Sequence, residues 1–430
     1  MSETMRSNEL ILYKNFKHED ILEDADFILS GDTLDDVGAK NRMNSLTGSL
    51  IELAVSHGYS GNLWQAYLTY LIANNENAYS TSCEIRGNAG GTIDEVALHD
   101  LSIFREMFML DPAELDKLCG TDNARFIRDY TPSDERSKMF NKRVRDRMIE
   151  LRDSLAGAES DEEFAEKVTQ FYGKFGVGKF GLHKAFRVCD DGGEVQIVPI
   201  TNIMHVYLED LVGYESAKKK LVDNTEAFIE GRPCNNCLLF GDAGTGKSSS
   251  IKGILNRYYE RGLRMIELYK HQMKYLSDII AQIKDRNYRF IILMDDLSFE
   301  EFETDYKYLK AVIEGGLEKK PGNILIYATS NRRHIVREKF SDKNERDDDL
   351  HTNDTVQEKL SLSYRFGETI FFARPDKKQF DNIVKTLADR YNVSMDEEEL
   401  LLEANKWELS HGGLSGRTAQ QFIDHLLSGG

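Results

Sequence analysis

The rhythm of apolar and polar positions changes near residue 200. Before that point apolar residues recur at helical spacing or fill whole turns. In residues 63–72, Leu63, Trp64, Ala66, Tyr67, Leu68, Tyr70, Leu71 and Ile72 leave almost no polar face, which predicts a buried helix. Residues 92–110 predict another, stopped at Asp111-Pro112 because proline lacks an N–H and pushes the preceding residue out of the helical region. Residues 133–155 predict a third, in which Arg136, Lys138, Lys142, Arg143, Arg145 and Arg147 are balanced by Glu135, Asp146, Glu150 and Asp153. That balance reads as a solvated helix laced with ion pairs rather than as a basic docking face. A mainly helical domain over residues 1–200 follows.

Beyond residue 200 short apolar runs alternate with amphipathic stretches. Residues 264–268, 290–294 and 323–328 predict strands, the second buried on both faces, and residues 273–284 and 305–317 predict helices. Strands alternating with helices imply right-handed crossovers and a parallel sheet covered by helices. At the boundary, residues 185–188 and 195–198 flank Asp190-Asp191-Gly192-Gly193 and predict a hairpin. Just upstream, Gly176-Val177-Gly178-Lys179-Phe180-Gly181 fits G-x-G-x-x-G, but residues 161–172 before it are helical in pattern. The dinucleotide fingerprint requires a strand there, so this segment reads as a connector.

One segment fixes the chemistry. Gly241-Asp242-Ala243-Gly244-Thr245-Gly246-Lys247-Ser248 follows the apolar run Cys237-Leu238-Leu239-Phe240 and opens a helical stretch that continues through Ser249. Strand, glycine-rich loop and helix together make a phosphate cradle: the glycines turn backbone N–H groups inward and the helix N-terminus adds partial positive charge. Lys247 is placed for the β- and γ-phosphates of ATP and Ser248 for Mg²⁺. The buried run 290–294 ends in Asp295-Asp296, the first suited to order Mg²⁺ through its water shell and the second to orient or deprotonate an attacking water. The next strand ends in Ala328-Thr329-Ser330-Asn331, where the Asn331 amide is suited to hold that water or a γ-phosphate oxygen.

Composition narrows the setting. A chain of 430 residues with 40% hydrophobic content suggests two or three folded domains. A formal net charge of −18 argues against general binding to nucleic acid or anionic membranes. No apolar run is long enough to span a bilayer and the start, Met1-Ser2-Glu3-Thr4, lacks a basic segment before an apolar one, so a cytoplasmic location is expected. Five scattered cysteines form no disulfide framework. Cys234 and Cys237 have ligand-like spacing but no matching second pair, and read as the start of the strand before the phosphate loop.

From residue 208 to 427 these motifs resemble, in order, the ATPase module of the AAA+ superfamily. Gly213-Tyr214 resembles the segment that lies against adenine, residues 241–248 the Walker A loop, Asp295 and Asp296 the Walker B pair, and Asn331 sensor 1. Leu362-Ser363-Tyr364-Arg365-Phe366-Gly367 resembles the arginine-finger segment, and Gly413-Leu414-Ser415-Gly416-Arg417-Thr418-Ala419 resembles sensor 2 in a helical lid. More narrowly, Asp295-Asp296-Leu297-Ser298-Phe299 and residues 358–363 are similar to an uncharacterised bacterial family of AAA+ ATPases filed as a domain of unknown function. The resemblance implies an α/β P-loop core at 201–374, a lid at 375–430, ATP and Mg²⁺ as cofactors, and a homo-oligomer, for which a ring or hexamer is one form. It makes Arg365 the finger and puts Arg417 on the γ-phosphate, where a guanidinium stabilises charge developing in hydrolysis. Two departures stand out: Asp296 where the superfamily usually has Glu, and Tyr364 where an acid precedes the finger.

The implied function is an ATP hydrolase that remodels or loads a macromolecular partner. The alternative is a slow-turnover, nucleotide-gated switch or scaffold, towards which the shorter Asp296 leans. A peptide-threading motor would put an aromatic residue at Tyr269, although that ring is equally suited to covering the strand end.

Overall fold

The computed structural model describes residues 6–30, 36–132, 140–203, 206–298, 306–314, 321–331 and 365–429. It divides into two compact units, Met1–His183 and Lys184–Gly430.

The first unit is helical. Leu63–Asn74 is buried on nearly every face, as its composition requires, and Asn62 caps it by accepting from the Gln65 N–H. Trp64 Nε1 donates to Met107 O at 2.8 Å and Gln65 Nε2 to Phe108 O at 3.1 Å, so this central helix ties down the last turn of Thr92–Met109. There Asp111 caps the next helix, Pro112–Cys119. The fully buried Asp100 carboxylate accepts from the N–H groups of Ile11, Leu12 and Tyr13, which fixes the N-terminal segment on the bundle. Of the predicted basic helix, Lys142–Ala156 is helical, and its part before residue 140 lies outside the described residues. The G-x-G-x-x-G segment follows the helix Asp161–Phe175 and enters the short helix Gly178–Leu182, so no strand precedes it.

The second unit carries a seven-stranded sheet made of β1 (Ala185–Asp191), β2 (Glu194–Pro199), β3 (Cys237–Gly241), β4 (Leu263–Glu267), β5 (Arg289–Met294), β6 (Ile324–Ser330) and β7 (Glu368–Phe372). Their order is β2-β1-β4-β5-β6-β3-β7, and every neighbouring pair is parallel except β1 and β2. The predicted hairpin forms directly after the division between the two units and belongs to the second. β1 pairs with β4 in the register Ala185↔Met265 to Arg187↔Glu267, extending the sheet, which is why the units separate after His183 rather than near residue 200. The predicted helix at 273–284 begins as the 3-10 segment Lys270–Tyr275 before Leu276–Ile283. Gln272 Nε2, bonded to Val188 O at 2.9 Å, braces that segment against the hairpin.

β3 and β6 are buried along almost their whole length and sit side by side, although they are far apart in sequence. The helices Glu215–Ile229 and Lys247–Tyr258 cover one face, with Leu221, Phe228, Ile251 and Ile254 packed on Leu239, Ile291 and Leu325. After β7 the helices Lys377–Arg390, Glu397–Ser410 and Gly416–Leu427 gather around Phe380, Val384, Ala404, Ala419 and Phe422 as a lid with its own core. This is an α/β fold in which a glycine-rich loop joins a parallel strand to a helix, followed by a helical lid and preceded in sequence by a mainly helical unit.

Candidate functional site

The registers Phe240↔Ser330 and Met294↔Ala328 bring the carboxyl ends of β3, β5 and β6 to one edge of the sheet, where ligands of open parallel sheets bind. The loop after β3 requires its glycines. Gly241 has φ +137°, and a Cβ there would lie 2.0 Å from Phe372 O. Gly244 has φ +76°, and its Cβ would meet Ser415 Oγ at 2.9 Å and Arg417 Cβ at 3.1 Å, so the loop accepts the lid only because the side chain is absent.

Lys247 opens the following helix and is buried, and its ammonium donates to Gly241 O at 2.9 Å, Asp242 O at 2.6 Å and Asn331 Oδ1 at 3.0 Å. Burial lowers its pKa, while the carboxylates of Asp242, Asp296 and Asp295 pull it back up. A buried ammonium that spends its protons on loop carbonyls is a cation held ready for a stronger acceptor. Ser248 Oγ donates to Asp295 Oδ1 at 2.5 Å. Asn331 Nδ2 donates to Asp296 Oδ1 at 2.8 Å, so the Asn331 amide spans the lysine and the second acid. Asp296 has φ +53°, a left-handed conformation uncommon outside glycine. Arg417 reaches the same loop from the lid, its N–H bonding Gly244 O at 3.2 Å, on a helix capped by Ser415.

These groups border a cavity of about 790 Å³, large enough for a nucleoside triphosphate. Ala243, Gly244, Thr245, Gly246, Lys247, Ser248 and Ser249 form one wall, with Asp295, Asp296, Asn331 and Arg417 around it. The far end is more apolar, with Val212, Tyr214, Ile383 and Leu387. There Lys218 Nζ holds Leu211 O at 2.6 Å and Arg390 holds Asp210 O at 2.9 Å, so two cations fix successive carbonyls of the segment before Tyr214. Tyr214 is left-handed at φ +60°, its ring centroid 5.5 Å from that of Phe372, and burial pushes its hydroxyl up to about 12. The Tyr214 hydroxyl is buried and has no hydrogen-bond partner among the described residues. In a triphosphate-sized cavity, the paired hydroxyl and carboxylate of Ser248 and Asp295 form an oxygen donor set that fits Mg²⁺.

The structure thus gathers most of the residues singled out in the sequence. Gly241 and Asp242 hold Lys247 through their carbonyls without lining the cavity, and Gly213 and the half-buried Arg365 before β7 are not among the described residues that line it. Tyr364 and the polar segment at 339–355 lie outside the described residues. Tyr269 stands at the end of β4, 49% exposed, its ring stacked 6.0 Å from His271. Sequence reasoning passed over Thr329, Lys218 and Arg390, all of which border the cavity.

A family model described as "Protein of unknown function (DUF815)" matches residues 181–429. The replication factor C large subunit of Staphylothermus marinus is 33% identical over 73 residues, which are 17% of this chain and 16% of that protein, so the chain spans about a sixth of that curated relative's length. Among solved structures, a point mutant of RuvB from Thermotoga maritima is 14% identical, with 52% of this chain and 72% of that one covered at a TM-score of 0.34. A second RuvB structure from that organism, titled a Holliday junction branch migration motor, is 14% identical over the same shares at a TM-score of 0.31.

Proposed function

The chain belongs to the DUF815 family, whose description assigns no function, and from that premise we propose that it is an ATP-hydrolysing AAA+ module whose active cavity is completed by a second copy of the chain. The observation that carries this reading is the meeting of Lys247, Ser248, Asp295, Asp296, Asn331 and Arg417 around one cavity. In this reading the loop N–H groups and Lys247 hold the β- and γ-phosphates, and Ser248 with Asp295 would hold Mg²⁺, whose chemistry would be to offset phosphate charge. Asp296 takes the proton of the attacking water, Asn331 orients that water, and Arg417 stabilises charge on the γ-phosphoryl oxygens. The apolar end around Val212, Tyr214 and Leu387 takes the base. Arg365 serves the site of a neighbouring copy in a homo-oligomer, and the energy of turnover goes into remodelling or loading a macromolecular partner.

Asp296→Asn tests this directly, because it keeps the shape and the Asn331 contact while removing the base. Phosphate release from Mg·ATP is expected to fall by about 10²–10⁴-fold with ATP binding retained. Equal rates in the parent and variant would remove Asp296 from the chemistry.

A further inference from the structure

We propose that Thr329 is the positioning residue for both acids of the site, an assignment that rests on the nucleotide-site reading above. Parallel pairing of β5 with β6 in the register Met294↔Ala328 carries Thr329 alongside Asp295. On its other side Thr329 pairs with Leu239 of β3, so it is held between two strands at the centre of the sheet. It grips three consecutive residues. Its hydroxyl donates to Asp295 Oδ1 at 2.5 Å, the same hydroxyl accepts from the Asp296 N–H at 2.8 Å, and its carbonyl accepts from the Leu297 N–H at 2.7 Å.

Each contact has a consequence for the acids. Asp295 Oδ1 receives two hydroxyl donors, from Ser248 and Thr329, and this pins the carboxylate that would take part in holding Mg²⁺. Asp296 holds its left-handed φ of +53° with its N–H bonded to that hydroxyl, and in this conformation its carboxylate meets Asn331. Thr329 is only 2% exposed, so water cannot easily replace a lost hydroxyl. Removing the hydroxyl would leave the Asp296 N–H unsatisfied and Asp295 short of a donor, and would free Asp296 to relax towards an ordinary conformation. A side chain that orients a metal-facing carboxylate is worth about 10–100-fold in metal affinity or activity.

The test uses the full chain with Thr329→Val, which keeps the shape and loses the hydroxyl, and Thr329→Ser, which keeps the hydroxyl. Phosphate release is titrated with Mg²⁺ at saturating ATP, and thermal stabilisation by ATP is measured with and without Mg²⁺. Thr329→Val is expected to raise the Mg²⁺ requirement or lower kcat by about 10–100-fold. It should also lose the Mg²⁺-dependent part of the stabilisation and keep the metal-free part, while Thr329→Ser stays close to the parent. Parent-like behaviour of Thr329→Val, or equal loss in both variants, would overturn the proposal. If Thr329→Val does not fold, Thr329→Ala against Thr329→Ser makes the same comparison. A parent that neither turns over ATP nor is stabilised by it would instead overturn the nucleotide-site reading itself.

Discussion

Lys247 shows at the scale of one residue how the phosphate loop stores its charge. Its three donors are spent on two carbonyls and the Asn331 amide, and burial lowers its pKa. A polyphosphate offers the ammonium a stronger partner, and occupation of the site should stabilise the fold by about 2.7 kcal/mol at a hundredfold excess of ligand over Kd. In Lys247→Ala most of the thermal upshift seen in the parent with Mg·ATP is therefore expected to vanish, while the ligand-free melting temperature stays near the parent's. An undiminished upshift would mean that another group binds the phosphates. The pH dependence has a definite sign: the protonated form binds phosphate, so affinity falls as pH rises, and the lowered pKa moves that loss to lower pH than an ordinary lysine would show. Lys247, Ser248, Asp295 and Asn331 were legible in the sequence because loop spacing and strand ends fix where they go. Thr329 was not, since a threonine in an apolar run looks like any β-branched strand residue until the register with β5 is known.

At the scale of elements, the lid is joined to the phosphate loop at Gly244. Gly244→Ala would force a side chain at φ +76° and bring it to 2.9 Å from Ser415 Oγ, the cap of the last lid helix. The left-handed conformation alone costs roughly 1–2 kcal/mol. A melting temperature lowered by several degrees and weaker ATP binding are the expected results, and unchanged values for both would show that the lid does not close on this loop. The sequence marked the helix that carries Arg417 and the existence of the hairpin. It did not mark the attachment of β1 to β4, because that pairing joins residues 185–187 to 265–267 and leaves no local trace. Nor did it mark the 3-10 start at Lys270–Tyr275, which depends on Gln272 reaching Val188 O.

For the whole molecule, alternating strands and helices were enough to give the class of the second unit, while the position of β3 between β6 and β7 came only from the structure. The first unit was legible as helical because Trp64, Tyr67 and their neighbours leave Leu63–Asn74 no solvent face, but its arrangement depends on contacts such as Trp64 with Met107 O. In the proposed assembly, ATP is hydrolysed in the Lys247 cavity of one copy with help from Arg365 of another. Phosphate release from a mixture of Lys247→Ala and Arg365→Ala proteins tests it most directly. The first variant keeps a usable finger and the second keeps its loop and acids. Each is expected to be nearly inactive alone, and the mixture is expected to recover a substantial fraction of parent activity. A mixture as inactive as its components, with co-assembly confirmed, would contradict it.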